Sequence, residues 1–262
     1  MAGWTRAEVL KASDDWVWVP PGAERFRVSG VDVIDYPEWA RMGFYAKPLD
    51  VGEPVEQVVD DVQQAARSRG RDKADWWITP TIRPPALEEQ LIARGAEQTE
   101  QTDILAYDMS TCLPDTGPTA GVDCMIVSDA VTLEDAERVA ARVWGGAPSA
   151  GERRQQQLGG LGDPLDAEAG FRVVAYVKGN AIATGGCQVA GDVARLYGAC
   201  SLPDARGRGG YRALLRRRLE AAREHGATLA LVHARVATSK PILVRLGFET
   251  YGQGRLYSLP VG

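Results

Sequence analysis

The segment 201–215, Ser-Leu-Pro-Asp-Ala-Arg-Gly-Arg-Gly-Gly-Tyr-Arg-Ala-Leu-Leu, constrains the fold of this chain more than any other stretch. It follows an apolar, strand-like run over 193–200. It then passes through three glycines and two arginines and enters a helical stretch rich in Ala, Leu and Arg. A strand that ends in a Gly-rich turn and feeds a helix N-terminus directs several backbone N–H groups to one point. The helix dipole adds partial positive charge at the same place. The expectation is a mixed α/β sheet with an anion cradle at the end of one strand. Glycines are needed there so that no side chain blocks a phosphate's approach to the backbone.

The spacing narrows the choice of anion. No Gly-Lys-Ser/Thr follows, so the turn is not a P-loop. Arg206-Gly207-Arg208-Gly209-Gly210 also lacks the glycine offsets of a dinucleotide fingerprint. A second segment adds to the first. Residues 227–234 read as a buried strand, and 238–249 as a short helix stopped by Gly247 and followed by a final strand. The two segments together resemble the GNAT superfamily of N-acyltransferases. Its acyl-CoA loop, Arg/Gln-x-x-Gly-x-Gly/Ala, follows a strand ending Val-x-Pro, and its closing helix ends Leu-Gly-Phe. Ser201-Leu202-Pro203 takes the strand-end position, Arg206 and Gly209 match the first and fourth loop residues, and Leu246-Gly247-Phe248 matches the closing motif. Tyr211 departs from the pattern, standing where the family has Gly or Ala. The resemblance covers the last third of the chain closely and the last half loosely.

The resemblance implies a GNAT fold, a mixed, mostly antiparallel sheet flanked by helices. It also implies an acetyl-CoA-dependent N-acetyltransferase that acts on a primary amine of a small molecule by direct attack in a ternary complex, without a metal. On that pattern Cys200, Ser201 and Leu202 lie along the pantetheine arm. The amides of Arg206, Gly207, Arg208, Gly209, Gly210, Tyr211 and Arg212 hold the pyrophosphate, and an N–H near Cys200 or Ser201 stabilises the oxyanion. The proton chemistry departs from the family. Leu243 occupies the place of its usual Tyr acid. The strand 193–202 has only Arg195 and Tyr197 as strongly polar side chains, where relatives carry a Glu base. Tyr197 and His233 are the catalytic candidates, His233 as a base of near-neutral pKa or as a structural histidine. Ser239 either caps the closing helix or touches the cofactor. Trp144 and residues 151–157 fall where the family builds its acceptor pocket.

Composition closes off other classes. A net charge of −5 over 262 residues argues against a nucleic-acid footprint across the surface. Positive charge is concentrated instead: seven arginines against Glu220 alone over 206–223. Arg206, Arg208 and Arg212 stand beside the cradle, whereas Arg216, Arg217 and Arg218 are expected on the surface. The four cysteines and two histidines have no metal or disulfide spacing. With no signal segment and no apolar run of membrane length, a cytoplasmic chain with no membrane partner is expected, a monomer or a homodimer.

The chain is expected to divide into a degenerate GNAT-like domain at 1–110, a Pro/Gly-broken linker at 111–121 and a catalytic domain at 122–262. Within the last, the expected elements are a strand at 122–127, a helix at 133–143 capped by Thr132, a helical stretch at 151–158 and a hairpin turning through Gly179-Asn180. The first half repeats the ending more faintly: an amphipathic helix at 53–68, a strand at 75–79, a helix at 84–94 stopped by Gly95 and a strand at 99–109. Its counterpart of the cradle, 49–54, has one glycine, no arginine and, counting Glu56, three acids nearby, and should repel a pyrophosphate. Two further readings stay open: an acyl-CoA sensor without turnover, favoured by the missing Tyr and Glu, and an acyltransferase acting on protein amines.

Overall fold

The computed structural model describes residues 3–40, 42–52, 54–161 and 170–262. The chain forms two compact units that are not sequential. One, here the N-unit, comprises Arg6–Ile104, Ala234–Pro241 and Thr250–Gly262. The other, the C-unit, comprises Met1–Thr5, Leu105–His233 and Ile242–Glu249.

The first part of the chain runs α1 (Arg6–Asp14), β1 (Glu24–Val28), β2 (Val31–Asp35), β3 (Phe44–Lys47), α2 (Val55–Ser68), β4 (Lys73–Ile78), α3 (Ala86–Ala93) and β5 (Glu97–Asp108). It continues with β6 (Asp123–Ile126), α4 (Ala130–Trp144), α5 (Gly151–Gly159), β7 (Phe171–Val177), β8 (Asn180–Ala190), β9 (Val193–Ser201), a 3-10 turn at Pro203–Ala205, α6 (Gly210–Glu224), β10 (Leu229–Arg235), α7 (Ser239–Arg245) and β11 (Glu249–Pro260).

In the N-unit β1, β2 and β3 are antiparallel neighbours, β3 pairs parallel with β4, and β4 pairs antiparallel with β11. Helix α2 forms because Val55, Val58, Val59, Val62 and Ala66 recur at helical spacing. That stripe is buried against Val31, Val33, Trp76 and Leu259. Each such valine contributes about 1.5–3 kcal/mol when fully buried. The C-terminal strand β11 thus joins the sheet of the N-unit, beside β4.

In the C-unit β6, β7, β8 and β9 run antiparallel, and β9 pairs parallel with β10. An antiparallel run followed by a parallel pair joined across a helix therefore occurs twice, as β3-α2-β4 and as β9-α6-β10. Two local expectations are corrected. Helix α4 begins at Ala130, capped by Asp129, whose carboxylate accepts from the amides of Val131 and Thr132; Thr132 is the reciprocal member of that capping box, not the cap. The β7–β8 hairpin turns through Lys178 (φ 51°) and Gly179 (φ 76°), one residue earlier than Gly179-Asn180. The pair supplies the two positive φ angles that a type I′ turn needs.

Candidate functional site

The register of β9 and β10 joins Leu229 to Val193, Ala230 to Ala194 and Leu231 to Arg195. Beyond those three pairs β9 continues to Ser201, so the paired part of the two strands ends well short of the Gly-rich turn. Leu202 donates its amide to Ile182 O at 2.9 Å, and the 3-10 turn hands the chain to Arg206. Gly207 (φ 79°) and Gly209 (φ 83°) both take left-handed backbone, and Gly209 is the N-cap of α6. A side chain at either position would be strained.

The amides around this turn are mostly available. Arg206 and Arg208 make long local bonds of 3.4 Å to Pro203 O and Ala205 O, and Ala213 makes the first helical bond, to Gly209 O at 2.9 Å. Gly207, Gly209, Gly210, Tyr211 and Arg212 have no acceptor for their amides among the described residues. Five free donors at a helix N-terminus fit an anion such as a pyrophosphate. Arg206 and Arg208 are exposed beside them, and the Arg212 guanidinium lies against Gly117. Gly210 is also small for packing: a Cβ there would stand 2.9 Å from Ile182 Cδ1. The Tyr211 side chain is half-buried; burial pushes its hydroxyl up and Arg218 acts against the rise.

Upstream, β9 carries a bulge. Thr184 pairs with Cys200 and Gly186 with Tyr197, so two steps on β8 oppose three on β9. The surplus falls at Gly198 and Ala199, with Gly198 at φ 56°. A bulge takes one residue out of the ladder and re-aims its neighbours. Trp144, the last residue of α4, lies 3.9 Å from where a Gly198 Cβ would be. Cys200 and Ser201, opposite Thr184 and Ala183, are back in the ladder, and burial pushes the Cys200 thiol up to about 11. The irregular residues are thus Gly198 and Ala199, which sequence reasoning missed; a lone Gly inside a strand pattern was the available signal.

The catalytic candidates are placed as follows. The ring of Tyr197 covers Gly186, where a Cβ would meet it at 2.3 Å. Burial raises its hydroxyl above the ordinary tyrosine value against the lowering influence of Arg172 and Arg218, so it keeps its proton at neutral pH. His233 is half-buried on β10, two residues past the last paired position. Ser239 belongs to the N-unit, and its hydroxyl donates to Arg235 O at 3.5 Å. Leu243 is fully buried, in the core. Gly247 (φ 89°) ends α7, with its amide on Val244 O and that of Phe248 on Leu243 O, and Phe248 packs on Tyr107 at 5.5 Å.

Arg218 corrects the expectation of a surface arginine run. Arg216 pairs with Glu220 at 2.8 Å on the surface, but Arg218 is only 1% exposed. The reason is periodicity: Arg218 stands four residues after buried Leu214 and four before buried Ala222, on the inward stripe of α6. Residues 151–157, expected in an acceptor pocket, lie in α5, where Arg154 reaches Glu134 and Glu137 at 3.6 Å. The buried Glu137 carboxylate also accepts from the Ser149 amide at 3.1 Å. Among the described residues no three His, Cys, Asp or Glu side chains gather as metal ligands would, and no helix is long and apolar enough to cross a membrane.

Comparison with known proteins bears on this geometry. No curated protein sequence matches the chain. Among solved structures, a GCN5-related N-acetyltransferase from Kribbella flavida is 19% identical, with a TM-score of 0.73 over 100% of this chain and 98% of its own. A GCN5-related N-acetyltransferase from Sphaerobacter thermophilus is 12% identical, with a TM-score of 0.63 over 99% and 94%. A tandem GNAT protein from the clavulanic acid biosynthesis pathway is 14% identical, with a TM-score of 0.62 over 97% and 88%. At these identities the likeness is one of fold, and it extends over the whole chain. A family model described as "Acetyltransferase (GNAT) family" matches residues 136–248, from α4 through the closing motif. Residues 136–248 therefore match the GNAT acetyltransferase family model, within a fold that solved GCN5-related N-acetyltransferases share.

Proposed function

We propose that the C-unit is an N-acetyltransferase that takes its acyl group from acetyl-CoA and passes it to a primary amine of a small molecule. The observation that carries this reading is the set of five unengaged amides, Gly207 and Gly209 to Arg212, beyond the point where the pairing of β9 and β10 ends. The donor supplies an activated thioester. The residues present suit the remaining tasks. The Gly-rich turn, Arg206 and Arg208 bind the diphosphate; the end of β9 receives the pantetheine arm; and the bulge at Gly198 offers a main-chain donor to the carbonyl oxygen. The amine nitrogen bonds to the carbonyl carbon as the carbon–sulfur bond breaks. The thiolate gains a proton and the new amide loses one. Tyr197, protonated at neutral pH, is suited to give a proton rather than take one. His233, or water between the parted strands, is left as the base.

Titration calorimetry with acetyl-CoA tests the proposal. One site per chain is expected, abolished by Gly209→Glu, which places a carboxylate among the free amides; unchanged affinity in that variant refutes it. The buried Leu243 in place of an acid favours a second reading, an acyl-CoA sensor. Thiol release on adding a panel of small amines separates the two, because a sensor binds the donor and liberates none. Acylation of protein amines is a third reading, distinguished by replacing that panel with peptides. We place the protein in the cytoplasm on its four free cysteines.

A further inference from the structure

Arg218 is a buried cation with no counter-ion among the described residues. Its Nε donates to Leu214 O at 3.2 Å and its Nη1 to Gly186 O at 3.0 Å, both neutral carbonyls. Among the described residues the titratable groups that bear on it most are Tyr211, Cys187, Tyr197 and Cys124, and none is a carboxylate. An unpaired guanidinium in the interior is costly, and an apolar residue of similar size is often the more stable choice.

The strand opposite is shaped around it. Gly185 and Gly186 are consecutive on β8, so their Cα–H vectors leave on opposite faces of the sheet. A Cβ on Gly185 would stand 3.1 Å from Arg218 Nη1, 3.2 Å from its Cζ and 3.1 Å from the Ala199 methyl. On the other face a Cβ on Gly186 would meet the ring of Tyr197. The Thr184-Gly185-Gly186-Cys187 run thus makes room for a guanidinium on one side and a phenol on the other. Ala199, which shares the Gly185 site with the guanidinium, belongs to the β9 bulge.

We propose that Arg218 is a positioning residue for acyl transfer, its unneutralised charge polarising the thioester carbonyl at the Gly198–Ala199 bulge while its clamp on Gly186 fixes the bulge's shape. The inference rests on the acyl-transfer reading above. A positive charge held in the interior, with no carboxylate among the described residues to cancel it, acts over several ångströms because little solvent screens it. It favours the carbonyl oxygen as negative charge gathers there. No atom of Arg218 needs to touch the donor.

The test is the infrared carbonyl stretch of acetyl-CoA labelled with carbon-13 at the thioester carbon, bound to the full chain. In the wild-type protein the band lies below its position in water. In Arg218→Met it returns toward the aqueous value, with acetyl-CoA affinity retained and the melting temperature unchanged or raised. Turnover with any accepted amine falls roughly ten-fold through kcat and not KM. Arg218→Lys keeps part of the shift. Gly185→Ala, which crowds the guanidinium, loses it and stands in for Arg218→Met should that chain not fold. A band equally shifted in wild type and in the folded Met or Ala variant overturns the inference. Failure of the wild type to bind acetyl-CoA overturns the acyl-transfer reading itself.

Discussion

Arg83 and Val51 are joined by a main-chain hydrogen bond of 2.9 Å from the Val51 amide to the Arg83 carbonyl, and the Arg83 amide returns 2.8 Å to Leu49 O. This strap crosses the N-unit between the ends of its parallel pair, β3 and β4. In the C-unit the amides of the Gly-rich turn are left without acceptors among the described residues. The end of β3 is further filled from within. Lys47, 2% exposed, donates its ammonium to the carbonyls of Ser13, Asp14 and Trp16 at the C-terminal end of α1. That arrangement satisfies a buried cation with helix-terminal carbonyls, where cations are favoured.

With a closed strap in one unit and free amides in the other, the expected number of acyl-CoA sites is one per chain. Calorimetry is expected to give a single site, and Gly209→Glu is expected to remove all of it. A second site surviving in that variant would show that the strap opens.

Tyr197 is expected to act as an acid. Tyr197→Phe should leave acetyl-CoA affinity unchanged and lower kcat about a hundred-fold or less, since the departing thiolate is a fair leaving group. Burial raises the hydroxyl, so the loss of its proton lies above the ordinary tyrosine range. The pH–rate profile should therefore show no alkaline fall from this group between pH 7 and about 10. An alkaline limb present in wild type and absent from the Phe variant would sink the assignment.

The cradle and the closing motif were legible because each depends on local chemistry. Glycines at positive φ, a strand-to-helix turn and a Leu-Gly-Phe stop are properties of short segments. The bulge at Gly198 and the burial of Arg218 were less legible, because both are set by the neighbouring strand β8. Three consecutive arginines read as solvated, and only the i, i+4 spacing from Leu214 and to Ala222 marks the one that turns inward. The place of β11 beside β4 could not be read from either strand, since pairing partners far apart in sequence leave no mark on the local pattern.

Leu243 stands where the resemblance to the GNAT pattern leads one to expect a tyrosine, and it is fully buried. Restoring the aromatic acid is therefore expected to fail. Leu243→Tyr adds a ring and a hydroxyl to a filled site, costing about 1–3 kcal/mol, with no gain in thiol release. A folded variant with a higher turnover than wild type would show that the position opens to the reacting atoms.

In the N-unit Glu88 of α3 holds β11. Arg255 grips its carboxylate through Nε at 2.5 Å and Nη2 at 2.7 Å, and the Tyr257 hydroxyl adds a bond of 2.8 Å. Burial alone would raise the Glu88 pKa, but the hydrogen bonds from Arg255 and Tyr257 outweigh it and hold the group below the usual carboxylate range. A depressed carboxylate stabilises the fold above its unfolded pKa, and that contribution is lost as pH falls through the folded value. The pair is partly exposed, so its worth is about 1 kcal/mol or less after solvent screening. Glu88→Gln should accordingly melt a few degrees below wild type at pH 7, and the two curves should converge below about pH 3. A gap that persists or widens in acid would mean that Glu88 acts through packing, with its charge contributing nothing.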